Sequence, residues 1–181
     1  MRTTLIRALI ALAITTTGAL GADNTIGTWK LIPEKSKYSS APTPVKSLTV
    51  TREASESGVK VTTTGEQANG AEINASYTAK YDGTEAHVTG NAPYDTIAVK
   101  QVNANTLADE RKKTGGSYRA TSRLVISKGG TTMTITTKGT DADGKEFTST
   151  LVFERPAPAF TNGRRLRTRY AERLLYYPPS L

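Results

Sequence analysis

The sequence AEINASYTAKY, residues 71–81, alternates strictly between two kinds of side chain. One set of alternate positions is apolar or aromatic and consists of Ala71, Ile73, Ala75, Tyr77, Ala79 and Tyr81. The intervening positions are polar and consist of Glu72, Asn74, Ser76, Thr78 and Lys80. Because successive side chains of a β-strand point to opposite faces of a sheet, this pattern predicts a strand with one buried and one solvated face.

The same period of two recurs on both sides of this stretch. It is found in residues 47–51, 59–64, 118–126, 132–136 and 146–153. Turn-forming pairs separate the segments at hairpin spacing: Ser57-Gly58, Asn69-Gly70, Asp82-Gly83, Gly115-Gly116, Gly129-Gly130 and Asp143-Gly144. A long meander of this kind removes its exposed edges by closing, so we expect an all-β fold, an antiparallel up-and-down barrel of about 8–10 strands. An open two-layer sandwich is the alternative.

The two ends of the chain differ from the repeating segments. Residues 1–21 contain Arg2 and Arg7, a short apolar run and small residues before Ala22, which predicts a cleavable signal peptide. The apolar run is shorter than the ~20 residues that a membrane span needs, although a membrane anchor or a buried first helix is the alternative. We therefore expect a periplasmic or secreted protein with a barrel domain at residues 22–155 and a basic, disordered C-terminal tail at residues 156–181.

The net charge of +8 is concentrated at these ends. Arg2 and Arg7 supply two positive charges, and the segment from Arg155 onward adds about five more, since it has six arginines and only Glu172 against them. About +1 remains for residues 22–154, so we expect no nucleic-acid binding. An alternative for the tail is a short basic amphipathic helix at residues 164–177 that contacts a membrane or a partner protein.

The composition excludes several kinds of chemistry. The absence of cysteine excludes disulfides, thiol catalysis and Cys-ligated metals, and the single histidine excludes multi-His metal sites. His87 alternates with Ala86 and Val88, which predicts an exposed position on a strand, and no Gly-x-Ser-x-Gly motif accompanies it.

The acidic residues do not form a recognisable catalytic or metal-binding motif. Asp109 and Glu110 are adjacent and must point to opposite faces of a strand, so they cannot form a glycosidase-type pair with each other. Residues 141–144 lack the further acidic ligands of a calcium loop and predict a hairpin turn. We therefore predict no catalytic residues, no metal and no cofactor.

The start of the predicted barrel carries a recognisable motif. Gly27-Thr28-Trp29 resembles the Gly-x-Trp opening of the lipocalin and fatty-acid-binding families, in which the tryptophan closes one end of a barrel. Residues 25–155 as a whole resemble small secreted bacterial lipocalin-like proteins of uncharacterised function. Three prolines in residues 33–46 exclude the helical lid of fatty-acid-binding proteins and indicate a crossing loop. Residues 151–155 lack their carboxylate-binding Arg-x-Tyr, so the resemblance does not imply fatty-acid specificity.

Small residues mixed with tyrosines on the inward faces predict a partly apolar cavity with a few hydroxyl groups. We therefore expect a non-catalytic, monomeric protein that binds a small apolar or amphipathic ligand. Tyr77 and Tyr118 would line the interior, and Trp29 would close one end. Two alternatives are an envelope structural protein with a solid barrel, which binds a partner through its outer face or tail, and an enzyme whose buried carboxylates or Tyr/Arg cluster the spacing conceals.

Overall fold

The computed structural model describes residues 23–39 and 45–156, so the predicted signal peptide and the tail beyond Pro156 lie outside the described residues. The described residues form twelve strands: β1 Gly27–Leu31, β2 Lys37–Tyr38, β3 Val45–Ser55, β4 Gly58–Gln67, β5 Glu72–Lys80, β6 Asp82–His87, β7 Thr89–Gly90, β8 Thr96–Asn103, β9 Thr106–Lys112, β10 Arg119–Ile126, β11 Thr132–Thr140 and β12 Glu146–Glu154. No helix in this part of the chain is long and apolar enough to cross a bilayer.

Eleven strands form one antiparallel sheet in the order β6-β8-β9-β10-β11-β12-β1-β3-β4-β5-β7. The remaining strand, β2, is not part of this order and pairs with β12. The first and last long strands pair directly, with Leu31 opposite Phe153. The sheet is thereby a nearly closed barrel, which confirms the predicted all-β up-and-down fold and excludes the two-layer sandwich. Two of the twelve strands, β2 and β7, have only two residues each, and the predicted strand number omitted such short pairings.

The hairpin predicted at Asp82-Gly83 is wrong, because β5 and β6 do not pair. β6 pairs with β8, and after Val88 the chain changes partner, so that β7 pairs with β5. Asp82 Oδ1 accepts a hydrogen bond from the Thr84 N–H at 2.8 Å, a local turn that bends the chain without folding it back. Residues 82–90 therefore cross the seam of the barrel and connect its two edges.

The first part of the predicted crossing loop, residues 33–38, contains regular structure that the sequence did not predict. Pro33–Lys35 forms a 3-10 turn, for which proline at the first position fixes a suitable φ. Tyr38 of β2 then pairs with Ser149 of β12. Since β2 has only two residues, it shows no apolar period in the sequence.

Alternation along the strands produces the core. In β10 the residues Ala120, Ser122, Leu124 and Ile126 are buried, and the residues between them are exposed, as predicted. The largest fully buried side chains are Trp29, Phe153, Ile97, Leu107 and Met133. All of these belong to one hydrophobic cluster inside the barrel.

Trp29 is fully buried in this core. Its indole N–H donates to the Thr25 carbonyl at 2.9 Å, and the Arg155 guanidinium lies over the ring, 4.2 Å from its centroid. Arg155 also donates to the carbonyl oxygens of Asn24, Ile26 and Gly130 at 2.7–2.9 Å. Arg155 therefore ties three chain segments together across the tryptophan and belongs to the barrel rather than to the basic tail.

Candidate functional site in the barrel interior

A cavity of about 300 Å³ lies inside the barrel. Its apolar lining includes Val50, Val61, Ile73, Leu124, Ile135 and Leu151, which come from six different strands. Ala75 is the only one of the three alternating alanines of residues 71–79 that lines it, because Ala71 is exposed and Ala79 is packed in the core. Ligand pockets in proteins range from about 300 to 1,000 Å³, so this cavity is of a size that suits a small molecule.

The cavity reaches the surface of the protein beside the segment from Asn91 to Tyr94. Exposed Glu72 and Asn91 line it there. Asn91 is fixed to β5, since its amide side chain donates to the Glu72 carbonyl at 2.7 Å and accepts from the Asn74 N–H at 2.8 Å. The mouth of the cavity therefore lies beside Glu72 and Asn91.

The structure places two of the three sequence-predicted site residues in the cavity wall. Tyr77 and Tyr118 both line it. Trp29 does not line it; the ring is fully buried in the core, opposite Val50 in the β1–β3 pair. Trp29 is therefore a packing residue of the core, and its predicted role in closing one end of the barrel stays a prediction.

A buried ion pair lies in the cavity wall beside these tyrosines. Asp109 and Arg111 are two residues apart on β9 and share its inward face, with side-chain exposures of 9% and 18%. The contact is bidentate, with Arg111 Nε 2.6 Å from Asp109 Oδ1 and Nη2 3.1 Å from Oδ2. Burial alone lowers the pKa of Arg111, but the Asp109 carboxylate together with the phenols of Tyr94 and Tyr77 outweighs this effect, and the pKa is raised above its usual range.

Aromatic rings surround this pair. The Arg111 guanidinium lies 5.3 Å from the centroid of the Tyr94 ring, which stacks on Tyr118 at 5.7 Å. Burial raises the pKa of Tyr118 to about 12, against the opposing charge of Arg111. Burial also raises the pKa of Tyr77 to about 12, with Arg52 as the largest opposing charge. Both phenols are therefore protonated at neutral pH and present hydrogen-bond donors to the interior.

Arg52 is the second arginine in the cavity wall. It lies on the inward face of β3 with an exposure of only 4%. Its Nε donates to Thr25 Oγ1 at 3.1 Å, whereas its buried Nη2 has no hydrogen-bond partner among the described residues. Within the same residues, no ion pair joins Arg52 to a carboxylate.

Four residues of this site were not predicted from the sequence: Arg52, Tyr94, Asp109 and Arg111. Arg52 continues the alternation of Leu48 and Val50, and Asp109 and Arg111 continue that of Leu107. A charged residue at an alternate position among apolar residues indicates a charge on the buried face of a strand, and this pattern could have identified three of the four residues. Asp109 is buried and Glu110 is exposed, as the prediction of opposite faces requires.

The remaining polar candidates lie on the surface. His87 is exposed on β6, as predicted. Asp141 forms the predicted hairpin turn, since its Oδ1 accepts from the N–H groups of Asp143 and Lys145. In residues 23–39 and 45–156, no three acidic or histidine side chains are grouped in a way that could hold a metal ion.

A wider concavity of about 810 Å³ lies against β8–β12, and its walls carry charges of both signs. Lys112 and Glu85 in this concavity form an ion pair with each other. It is open to solvent and presents mainly Thr, Lys and Glu side chains, so the enclosed interior cavity is the stronger candidate for ligand binding.

Comparison with known proteins identifies no family. No family model and no curated protein matches the chain. One solved structure that resembles it is a protein of unknown function from the DUF3598 family of Nostoc punctiforme PCC 73102. The two proteins have 13% sequence identity and a TM-score of 0.49. The match covers 74% of this chain and about half (48%) of the other protein.

Proposed function

We propose that the protein is a secreted or periplasmic lipocalin-like carrier that binds one small amphipathic ligand inside the barrel and does not catalyse a reaction. The observation that carries this proposal is the cavity of about 300 Å³, whose wall combines apolar side chains with buried hydrogen-bonding groups. Such a combination is typical of small-molecule sites, in which apolar contacts give affinity and a few polar groups fix orientation. The proposed export rests on residues 1–21 of the sequence.

The polar groups of the cavity favour binding over catalysis. Asp109, the buried carboxylate of the wall, is held in a bidentate contact by Arg111. Tyr77 and Tyr118 have a pKa raised to about 12, so at neutral pH neither phenol is the base that a proton transfer needs. These groups are suited to donating hydrogen bonds to a bound ligand.

Calorimetric titration with a panel of lipids, retinoid-like compounds, pigments and medium-chain alcohols tests the proposal. Trp29, the one tryptophan of the chain, does not line the cavity, so its fluorescence is a poor reporter of binding. We expect saturable binding of at least one apolar compound, with a negative heat-capacity change that reports burial of apolar surface. Absence of binding across the panel would contradict the proposal.

A pair of matched variants locates the binding site. Ala75→Trp places a large ring in the cavity, whereas Thr78→Trp places the same ring on the exposed face of the same strand. We expect Ala75→Trp to abolish binding and Thr78→Trp to leave it unchanged, with both variants folded by circular dichroism. If Ala75→Trp binds as well as the unmodified protein, the ligand does not occupy the barrel interior.

A further inference from the structure

We propose that Arg52 is the anion receptor of the cavity and that the ligand is a small monoanionic carboxylate with an apolar body. The proposal rests on the proposed ligand-binding function and adds to it the chemical class of the ligand. It is carried by the position of a buried guanidinium with an unused donor at a cavity wall.

The other arginines that contact the barrel core are fully engaged. Arg111 is neutralised by the bidentate contact with Asp109, and Arg155 donates to three backbone carbonyls. Among the residues that the structure describes, the hydroxyl of Thr25 is the one hydrogen-bond partner of the Arg52 side chain. An unpaired buried charge with an unsatisfied donor is strongly unfavourable, so its presence at a cavity wall indicates that a ligand supplies the missing acceptor.

Asp23 does not supply this acceptor. Its Oδ1 accepts from the N–H and hydroxyl groups of Thr25, and its Oδ2 accepts from the Tyr81 hydroxyl. Thr25 lies between this carboxylate and Arg52, since its hydroxyl donates to Asp23 Oδ1 and its Oγ1 accepts from Arg52 Nε. These contacts fix the orientation of the guanidinium and leave Nη2 unpaired.

A second donor lies near Arg52 on the inward face of the sheet. Val61 of β4 pairs with both Arg52 of β3 and Tyr77 of β5, so the three residues form one row across three strands. Arg52 and Tyr77 both line the cavity. A guanidinium and a phenol are strong donors toward the two oxygens of one carboxylate.

The charges of the cavity wall indicate a monoanion. Asp109 balances Arg111, so the wall has one buried positive charge, Arg52, without a carboxylate in contact. A dianion such as a phosphate monoester would retain an uncompensated negative charge in a mostly apolar space, which is unfavourable. The apolar side chains of Val50, Leu124 and Leu151 leave room for an uncharged body of the ligand.

The test compares decanoate with 1-decanol, which has the same chain length and no charge. We expect decanoate to bind the full chain more tightly than 1-decanol at neutral pH. In Arg52→Met, we expect decanoate affinity to fall about 10- to 100-fold, since hydrogen bonds between charged partners have this magnitude. The affinity of the variant for 1-decanol remains within about twofold, because apolar burial is unchanged.

Arg123→Met is the matched control, because Arg123 lies on the exposed face of β10. It is expected to leave the affinities for both probes unchanged. A thermal melt without ligand separates a binding role from a structural one. We expect Arg52→Met to unfold at the same or a higher temperature, since replacing an unpaired buried charge with an apolar side chain is neutral or stabilising.

The experiments distinguish failure of the proposed Arg52 role from failure of the proposed ligand-binding function. If 1-decanol binds and decanoate does not, or if Arg52→Met keeps the preference for decanoate, the role of Arg52 is wrong and the ligand-binding function stands. If Arg52→Met is strongly destabilised and loses both probes alike, Arg52 is structural and the inference is again overturned. If neither probe binds the unmodified protein, the proposed cavity function fails, and the inference fails with it.

Discussion

Three arginines of this barrel differ in the hydrogen-bond and charge partners that surround their guanidinium groups. Arg155 uses backbone carbonyls and the face of Trp29, Arg111 uses a carboxylate, and Arg52 has one hydroxyl partner and one unused donor. Lone buried charges are rare in folded proteins because they lose their hydration without compensation. At the scale of single residues, these contacts therefore distinguish Arg155 and Arg111, whose partners are protein groups, from Arg52, for which we propose ligand binding.

The Asp109–Arg111 contact gives a first prediction. Asp109→Asn keeps the shape of the side chain but leaves the Arg111 charge buried without a counter-ion. We expect the free energy of unfolding in urea to fall by about 3–5 kcal/mol, the cost typical of removing one partner of a buried pair.

The control for this experiment is Glu85→Gln, which removes one partner of the exposed Lys112–Glu85 pair. Exposed pairs contribute about 0–1 kcal/mol, so this variant is expected to be nearly as stable as the unmodified protein. Equal effects of the two substitutions would show that Asp109 and Arg111 are not buried together as described.

The tyrosines of the cavity give a pH prediction. Tyr77 and Tyr118 have a folded-state pKa of about 12, above the ordinary value of 10.0, because burial disfavours the phenolate. The folded state therefore retains protons that the unfolded chain loses, and stability falls as pH rises between about 10 and 12. The slope is about 1.4 kcal/mol per pH unit for each such phenol.

Urea unfolding at a series of alkaline pH values measures this slope. Tyr77→Phe removes one titrating phenol, so its stability is expected to fall less steeply than that of the unmodified protein between pH 10 and 12. Below pH 10 the two curves should run parallel. Identical slopes across the alkaline range would mean that the Tyr77 hydroxyl is not buried in the folded state.

At the scale of elements, β10 and β11 approach each other closely at a glycine. Gly139 of β11 pairs with Ala120 of β10, and a Cβ built there would lie 2.1 Å from the Arg119 carbonyl oxygen and 2.6 Å from the Ala120 Cα. Both atoms belong to the backbone, so a side chain could be accepted only if the strands moved apart. Glycine within a strand often marks a site where another backbone approaches this closely.

Gly139→Ala should therefore be more destabilising than a change at a turn glycine. We expect about 2–3 kcal/mol of lost stability by thermal or urea unfolding, as for overpacking of a close-packed site. Gly144→Ala is the matched control, because Gly144 has a φ of +81° and open space where the Cβ would be. It should cost only about 1–2 kcal/mol for the left-handed backbone. The reverse order would contradict the described approach of β10 and β11.

Some features of the strands could be predicted from the sequence alone, and others could not. Alternation in β5, and in β10 with the preceding Tyr118, correctly predicted that Tyr77 and Tyr118 point inward. The hairpin at Asp82-Gly83 was predicted wrongly, because the partner of β6 depends on how the barrel closes and not on local turn residues. Asp109 and Arg52 were missed because polar residues on inward faces are chosen by contacts across several strands.

At the scale of the whole molecule, the barrel encloses a cavity that opens beside exposed Glu72 and Asn91. Trp29 lies under Arg155 and is packed in the core outside the lining of this cavity. The volume of about 300 Å³ depends on which side chains from opposite walls meet in the interior. That arrangement follows from register and curvature together, so sequence periodicity left a solid barrel and a hollow one equally possible.

Methyl NMR during titration with 1-decanol shows whether a ligand enters the barrel, because it reports where in the protein the ligand binds. We expect saturable shifts at the inward methyl groups of Ile73, Leu124, Ile135 and Leu151. The exposed methyl groups of Val102 and Val125 serve as internal controls and should not shift. Unchanged inward methyl signals at saturating concentrations, or shifts confined to the exposed valines, would contradict a ligand-binding cavity in this barrel.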